Sequence, residues 1–278
     1  MPLAGACFSE VDERAMRFLR IGARLVGLGS STALIYICWV TGKSMLFASE
    51  RHRLRLRHIV LHRWARTVAG LISMRIKVHG RPPEAPFFLV ANHLSYIDII
   101  LLASQLNCVF VAKSDIADWP FIGRLAKSVG TIFIDRTNYH DIPRVIRLIE
   151  GALAEGAGVV LFPEGTSTRG DQVLPFSPSL LEPAARMKLP VDYGVITYAT
   201  PPGEIPAHLS VCWWGDMTFV PHALGLLGLK RFDASVEFGG HPIGEGNRKV
   251  LAHKLRTAVA DRFVPIVEME RECIAKDH

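Results

Sequence analysis

The residues from Leu25 to Gly42, LVGLGSSTALIYICWVTG, form an uncharged run of 18 between Arg24 and Lys43. As a helix this run is about 27 Å long, close to the hydrocarbon thickness of a bilayer, and few soluble folds bury such a segment. It starts too far in, and lacks the small-residue cleavage pattern, to act as a secretory signal, so it is expected to stay on the chain. Arg14, Arg17, Arg20 and Arg24 precede it and Lys43 and Arg51 follow it, so the positive-inside rule assigns no orientation. A spanning helix and a half-inserted hairpin both fit.

The stretch from Arg51 to Arg81 holds nine Lys and Arg residues and no acid, whereas the whole chain is only +6. The rest is therefore net negative, and the partner of this stretch should be anionic and local. With a single aromatic, Trp64, and no nucleic-acid module, it points to an anionic membrane surface and not to nucleic acid. Val60, Leu61, Trp64, Val68, Leu71 and Ile72 fall on one helical stripe that excludes Arg63 and Arg66. That pattern predicts an amphipathic helix lying in the interface. Residues 1–74 are thus expected to form a membrane-associated helical element.

Beyond it, an apolar content of 49% with 21% charged residues excludes a disordered chain and a disulfide scaffold. The five cysteines, Cys7, Cys38, Cys108, Cys212 and Cys273, make no paired spacing, which suits reduced thiols and a cytosol-facing protein. Short β-like runs then alternate with helical stretches, the pattern of a largely parallel mixed α/β sheet flanked by helices over 75–278. Strands are expected at Arg75–Val78, Phe87–Ala91, Cys108–Ala112, Thr131–Ile134, Val159–Phe162, Val191–Tyr198, Leu209–Trp213 and Ala234–Phe238. Helices are expected at Ile97–Gln105, Trp119–Ser128, Tyr139–Glu155, Ser179–Lys188 and Gly246–Phe263. The apolar segment Phe219–Leu229 reads as a core-packing helix that is also able to touch a bilayer.

Three constellations carry polar chemistry. The first, Asn92-His93-Leu94-Ser95-Tyr96-Ile97-Asp98, lies where a strand gives way to a helix, the usual place for an α/β active site. A neutral imidazole can take a proton from a hydroxyl when a carboxylate fixes its tautomer, and His93 with Asp98 offers that pair. Five residues apart on one helix they would diverge, so they meet only if His93 sits in the preceding loop. Ser95 and Asp98 also form an S-x-x-D capping box, which explains the same residues without catalysis.

The second constellation is Phe162-Pro163-Glu164-Gly165-Thr166-Ser167-Thr168-Arg169-Gly170, a strand entering a turn whose N–H groups, hydroxyls and Arg169 could hold an anion. It misses the nucleophile-elbow pattern because Arg169 stands where glycine is needed. The third is the strand Gly130 to Ile134 ending in Asp135 and Arg136, either a phosphate ligand or a structural ion pair. The chain has no Walker A loop, no dinucleotide glycine fingerprint and no clustered metal ligands among its 11 His. No metal and no resident cofactor are expected.

Jointly, NHLSYID, AKSDIADWPFIGRLAKSVGTIFIDR, FPEGTSTRG and LPVDYGVITY occur in the order and spacing of the glycerolipid acyltransferases, and the resemblance covers Phe87 to Tyr198. It implies acyl transfer from acyl-CoA or acyl carrier protein, as co-substrate, to a lysophospholipid, above all the sn-2 hydroxyl of 1-acyl-sn-glycerol-3-phosphate. It implies a catalytic pair His93 and Asp98, and acceptor binding by Arg136, Glu164, Gly165, Thr166 and Arg169. Ser167 and Thr168 intervene where many members place arginine directly after threonine, which leaves open another lysolipid acceptor such as lyso-ornithine lipid. A non-catalytic lipid-binding protein and a lipid or thioester hydrolase are the rival classes.

Overall fold

The computed structural model describes residues 3–46, 49–120, 122–135 and 139–267. Two long helices open the chain, α1 (Leu3–Met45) and α2 (Glu50–Leu71). Seven strands follow: β1 (Met74–His79), β2 (Phe88–Ala91), β3 (Cys108–Lys113), β4 (Ile132–Ile134), β5 (Gly158–Leu161), β6 (Val191–Ala199) and β7 (Phe232–Phe238). Between them lie α3 (Ile97–Ala103), α4 (Ile122–Ser128), α5 (Ile142–Ala154), α6 (Glu182–Arg186), α7 (Ala207–Ser210) and α8 (Phe219–Gly228), and α9 (Arg248–Ala260) closes the domain.

The strands make one sheet in the order β1-β7-β6-β2-β5-β3-β4, parallel throughout except for the antiparallel pair β6 and β7. Both faces are covered, so the central strands are apolar on both sides. In β2, Leu89 and Ala91 enter the core cluster shared with α2 and α3, while Phe88 and Val90 enter the cluster shared with α5 and α9. The expected strand at Leu209–Trp213 is absent. Ala207–Ser210 forms the short helix α7 after Pro206, and the Trp213 N–H instead bonds the Leu94 carbonyl at 2.8 Å. Phe219–Gly228 is helical, as its composition suggested.

The helices α1 and α2 form an antiparallel hairpin. Trp64 Nε1 donates to Thr32 Oγ1 at 3.1 Å, and Gly27 and Gly42 lie against Leu71 and Leu56, at separations that leave little or no room for a side chain. The apolar stripe of α2 does not face outward as expected of an interfacial helix: Leu61, Ala65, Val68 and Ile72 are buried in the same cluster as Leu89 and Leu101. Arg63 and Arg66 stay exposed, off that stripe. The outer face of α1 is the apolar surface, with Phe18 73%, Leu19 67%, Val26 72% and Ile37 60% exposed. Residues Glu13–Met45 are long and apolar enough to cross a membrane by length and composition.

A buried arginine ties this hairpin to the sheet domain. Arg24, on α1 and only 7% exposed, donates to the carbonyls of Leu227 at 2.9 Å and Leu229 at 2.7 Å and to Ser73 Oγ at 2.5 Å. Arg20 donates to the Gly228 carbonyl at 2.6 Å. These carbonyls sit at the C-terminal end of α8, where orphaned acceptors and the helix dipole both favour a cation. Arg24→Met should therefore free the base of α1 and lower the unfolding free energy by about 3 kcal/mol, since it strands buried acceptors. The unfolding midpoint of detergent-solubilised protein checks this, with surface variant Arg14→Met as the comparison.

Candidate active site

The parallel strands β2 and β5 are neighbours, and their carboxyl ends carry the first two constellations to one edge of the sheet. Asn92 extends the β2–β6 pairing with its side chain: its amide donates to the Ile196 carbonyl at 2.9 Å and its oxygen accepts the Ile196 N–H at 2.7 Å. The backbone then turns away from the sheet, leaving His93 in a loop ahead of α3. That is the condition under which His93 and Asp98 can meet, and they do.

His93 Nδ1 lies 2.7 Å from Asp98 Oδ2. A carboxylate only accepts, so Nδ1 carries the hydrogen and Nε2 is the basic atom. Asp98 is fully buried and its partners surround it. Oδ2 also accepts the N–H groups of Leu94 at 2.7 Å and Ser95 at 3.1 Å, and Oδ1 accepts the Tyr198 hydroxyl at 2.6 Å. Burial, with the carboxylate beside it, pushes the Tyr198 phenol well above its usual range, so it remains a donor. The imidazole is stacked on Phe162, ring centroids 4.2 Å apart and planes 17° apart, and its side chain retains 21% exposure. One nitrogen is anchored and the ring is clamped, yet the residue still reaches solvent.

The capping box forms by half. The Asp98 carboxylate reaches back to the Ser95 N–H, but the Ser95 hydroxyl is buried without a hydrogen-bond partner among the described residues. The acid does two jobs, holding the loop N–H groups and the imidazole.

Glu164, expected to bind the acceptor, is engaged with the protein's own backbone. Its side chain turns inward, where Oε1 accepts the His93 N–H at 2.8 Å and Oε2 accepts the Leu174 N–H at 2.9 Å. Burial raises its pKa to about 7 against the pull of these two bonds. It pins the His93 backbone. Gly165 adopts φ +78°, a left-handed turn that glycine enters without strain, and Thr166 is exposed beside it. The Thr168 N–H bonds the His93 carbonyl at 3.0 Å, so the turn and the histidine loop are laced together. Arg169 stands at the rim, 3.5 Å from Asp171 and 5.9 Å over the Trp214 ring. Arg136 lies outside the described residues.

Tyr198 and Phe162 had no assigned role in the sequence. No spacing signal links Tyr198 to Asp98 across 100 positions; only the β2–β6 pairing brings it there. Beside His93 lies an aromatic cluster, also unforeseen. Tyr96, Trp119, Trp213 and Phe219 meet edge to face, with centroids 5.1 to 6.5 Å apart. Tyr96 is fixed by a 3.1 Å bond between its hydroxyl and His222 Nδ1, whose Nε2 is bonded to the Cys212 carbonyl at 2.9 Å.

This arrangement coincides with a known family. A family model described as Acyltransferase matches residues 75–197. A lyso-ornithine lipid O-acyltransferase of Rhizobium meliloti is 32% identical over 73% of this chain and 78% of its own length. A 1-acyl-sn-glycerol-3-phosphate acyltransferase of Neisseria meningitidis is 34% identical over 43% of this chain and 48% of its own. The crystal structure of the 1-acyl-sn-glycerophosphate acyltransferase PlsC from Thermotoga maritima superposes with a TM-score of 0.62 at 19% identity, over 89% of this chain and 96% of that one, and shares its fold. The chain belongs to the acyltransferase family, and it is an enzyme of that class.

Two outcomes follow from the geometry. Tyr198→Phe removes a hydrogen bond to a buried carboxylate, a loss of about 1.5 to 3 kcal/mol. It should lower the unfolding midpoint and kcat together while leaving KM for the lipid acceptor unchanged. The Glu164 carboxyl keeps its proton to about 7 in the folded state, against 4.5 ordinarily. Between those values the folded state binds more protons than the unfolded chain, so stability falls as pH rises from about 4.5 to about 7. Glu164→Gln should flatten that slope, measured as the denaturant midpoint from pH 4 to pH 8.

Proposed function

We propose that this enzyme transfers a fatty acyl group from a thioester donor to a free hydroxyl of a membrane lysolipid, with His93 as general base. The observation that carries this reading is the His93–Asp98 contact, which leaves Nε2 as the basic atom of a side chain that is 21% exposed. His93 Nε2 takes the hydroxyl proton as the oxygen attacks the thioester carbonyl. The tetrahedral centre collapses with cleavage of the carbon–sulfur bond, and the imidazolium returns its proton to the departing sulfur. The products are an ester and a free thiol, with no acyl-enzyme. Asp98 holds the tautomer and balances the imidazolium charge. Such base catalysis is worth about 10² to 10⁴ in rate, so positioning both substrates supplies much of the rest.

The acceptor we favour is lyso-ornithine lipid. The Rhizobium relative with that name covers more of the chain than the Neisseria one, and four relatives bear it, at 32% to 35% identity. The site rim agrees in charge: Arg169 is matched by Asp171 at 3.5 Å, a cation beside an anion, as suits a zwitterionic head group. Ornithine with one amine acylated is such a zwitterion. The second reading is the sn-2 hydroxyl of 1-acyl-sn-glycerol-3-phosphate, favoured by the order of the motifs and by Arg136 after β4.

We further infer that residues 1–74 seat the enzyme on the membrane through the outer face of α1. The charged helix α2 runs antiparallel beside the apolar run, so a full span would carry Arg55, Arg63 and Arg66 into hydrocarbon. A hairpin lying in the interface avoids that cost. These three arginines are exposed and face no described partner, whereas Arg57 is engaged with Glu155 at 3.4 Å. They are the groups placed to meet anionic headgroups, at about 1 kcal/mol each. A cytosolic orientation fits the reduced thiols Cys38, Cys108 and Cys212.

His93→Ala should abolish thiol release with every lysolipid while sedimentation with vesicles persists; turnover retained by that variant would remove His93 from its role. A panel of lysolipids offered to the wild type, read by product mass, assigns the acceptor: acylated lyso-ornithine lipid supports the first reading, and phosphatidic acid alone supports the second. Charge reversal at Arg55, Arg63 and Arg66 should weaken binding to anionic vesicles at least tenfold in low salt and little in high salt.

A further inference from the structure

The helix α8, FVPHALGLLG, carries no charged residue. A helix apolar all round is ordinarily buried all round. This one is covered on one side only. His222, Leu226 and Leu227 are buried, and His222, its single polar side chain, is spent inward on Tyr96 and the Cys212 carbonyl. The other side is open. Val220 is 63% exposed, Leu224 stands four positions on and so on the same face, and Pro221 between them is exposed as well. The adjoining helix α7 adds the exposed Leu209. Nothing polar on α8 is left to meet water there.

Its neighbours indicate what covers that side. Arg20 and Arg24 fasten α8 to α1, whose own outer face exposes Met16, Phe18 and Leu19, so the two apolar surfaces adjoin. At the C-terminal end of α8 a cavity of about 610 Å³ lies between Gly228–Lys230 and the start of α1. Arg14, Arg17, Arg20 and Lys230 line it against Glu13 and Glu204, which leaves it net positive. Lys230 is paired with Glu13 at 3.2 Å and Arg20 is committed to the Gly228 carbonyl. Arg14 and Arg17, three apart on one helix face, are exposed and have no ion-pair or hydrogen-bond partner among the described residues. An open apolar side next to two uncommitted arginines is layered as a bilayer is, hydrocarbon beside phosphate. A second copy docked by the same face would instead bring the same cations to meet it.

We propose that α8 is a second membrane-contact element: Val220 and Leu224 enter the acyl layer of the bilayer, while Arg14 and Arg17 hold the phosphate of an anionic phospholipid at the end of the helix. This contact is separate from the arginines of α2. Phe219, the first residue of α8, meets Tyr96 and Trp119 with centroids 5.1 and 6.1 Å away, and Trp213 of the same cluster bonds the carbonyl of Leu94, the residue after His93. Seating α8 therefore sets the aromatic side of the His93 edge at the lipid boundary, where a lysolipid reaches the base without leaving the membrane. That consequence rests on the acyl-transfer reading; the contact itself does not.

The test uses the full-length protein with Cys7→Ser, Cys38→Ser and Cys273→Ser, which leaves the buried Cys108 and Cys212, and a bimane label at Leu224→Cys or, as the reference on α1, at Val26→Cys. Vesicles of phosphatidylcholine and phosphatidylglycerol with spin labels on their acyl chains should quench both labels. Val220→Asp combined with Leu224→Asp should lower kcat/KM for a long-chain lysolipid in such vesicles about tenfold or more, and leave kcat/KM for a monodisperse short-chain lysolipid unchanged. Arg14→Glu combined with Arg17→Glu should cut the gain in turnover given by phosphatidylglycerol severalfold, and inorganic phosphate should not reproduce that gain. A label at Leu224→Cys that stays unquenched while the one at Val26→Cys is quenched overturns the proposal and leaves α1 seated, and it does so even if the aspartate pair fails to fold. So does full vesicle turnover by the aspartate pair, a gain reproduced by free phosphate, or an α8 signal that follows protein concentration without vesicles, since a second copy then covers the face. Quenching on α8 in a protein that acylates no lysolipid upholds the contact and sinks the acyl-transfer reading instead.

Discussion

Everything at the reactive edge depends on one buried carboxylate. Asp98 has no exposure, and a charge so placed is sustained only if its lone pairs are taken up by donors. Its oxygens receive four: His93 Nδ1, the N–H groups of Leu94 and Ser95, and the Tyr198 hydroxyl. The N–H donors come from the loop that carries the imidazole, so satisfying the acid and aiming the base are one structural act. The Tyr198 bond reaches from a different strand and makes the geometry conditional on the sheet. With Phe162 stacked on the ring, the imidazole retains little freedom except at Nε2.

The same economy appears one layer out. Glu164 meets its burial by accepting two backbone N–H groups, one of them that of His93, and the Thr168 N–H closes a second link to the His93 carbonyl. Within the turn the Gly165 and Thr168 N–H groups bond the Phe162 and His93 carbonyls, while the Glu164 carboxyl is taken up by N–H groups from outside it. At the rim stand the paired Arg169 and Asp171, and on α4 the exposed cations Arg124 and Lys127.

At the other end of the molecule, Arg24 resolves a problem posed by the apolar run. An arginine bordering lipid-facing helix is costly in hydrocarbon, but here its guanidinium is spent on the open carbonyls at the end of α8. The hairpin is thereby fixed to the domain that holds the His93 loop, and the outer face of α1 stays exposed.

How much of this was legible in sequence follows from the range of the forces. The alternation of strands and helices, the length of the apolar run and the local pairing of His93 with Asp98 depend on near neighbours, and spacing alone discloses them. The loop position of His93 was inferable because a helix would have driven the two side chains apart. Three features were hidden. The apolar stripe of α2 looks the same whether lipid or a sheet covers it. The run Leu209 to Trp213 has strand composition, but its start is drawn into the helix after Pro206 and its end bonds the loop at Leu94. Glu164 reads as a ligand until two loops, at His93 and Leu174, supply N–H groups for it. Sequence by itself determined the chemistry available, an imidazole with a carboxylate behind an amphipathic anchor. Tertiary structure decided which polar groups serve substrate and which serve the fold, because a buried group must bond to whatever the packing brings beside it.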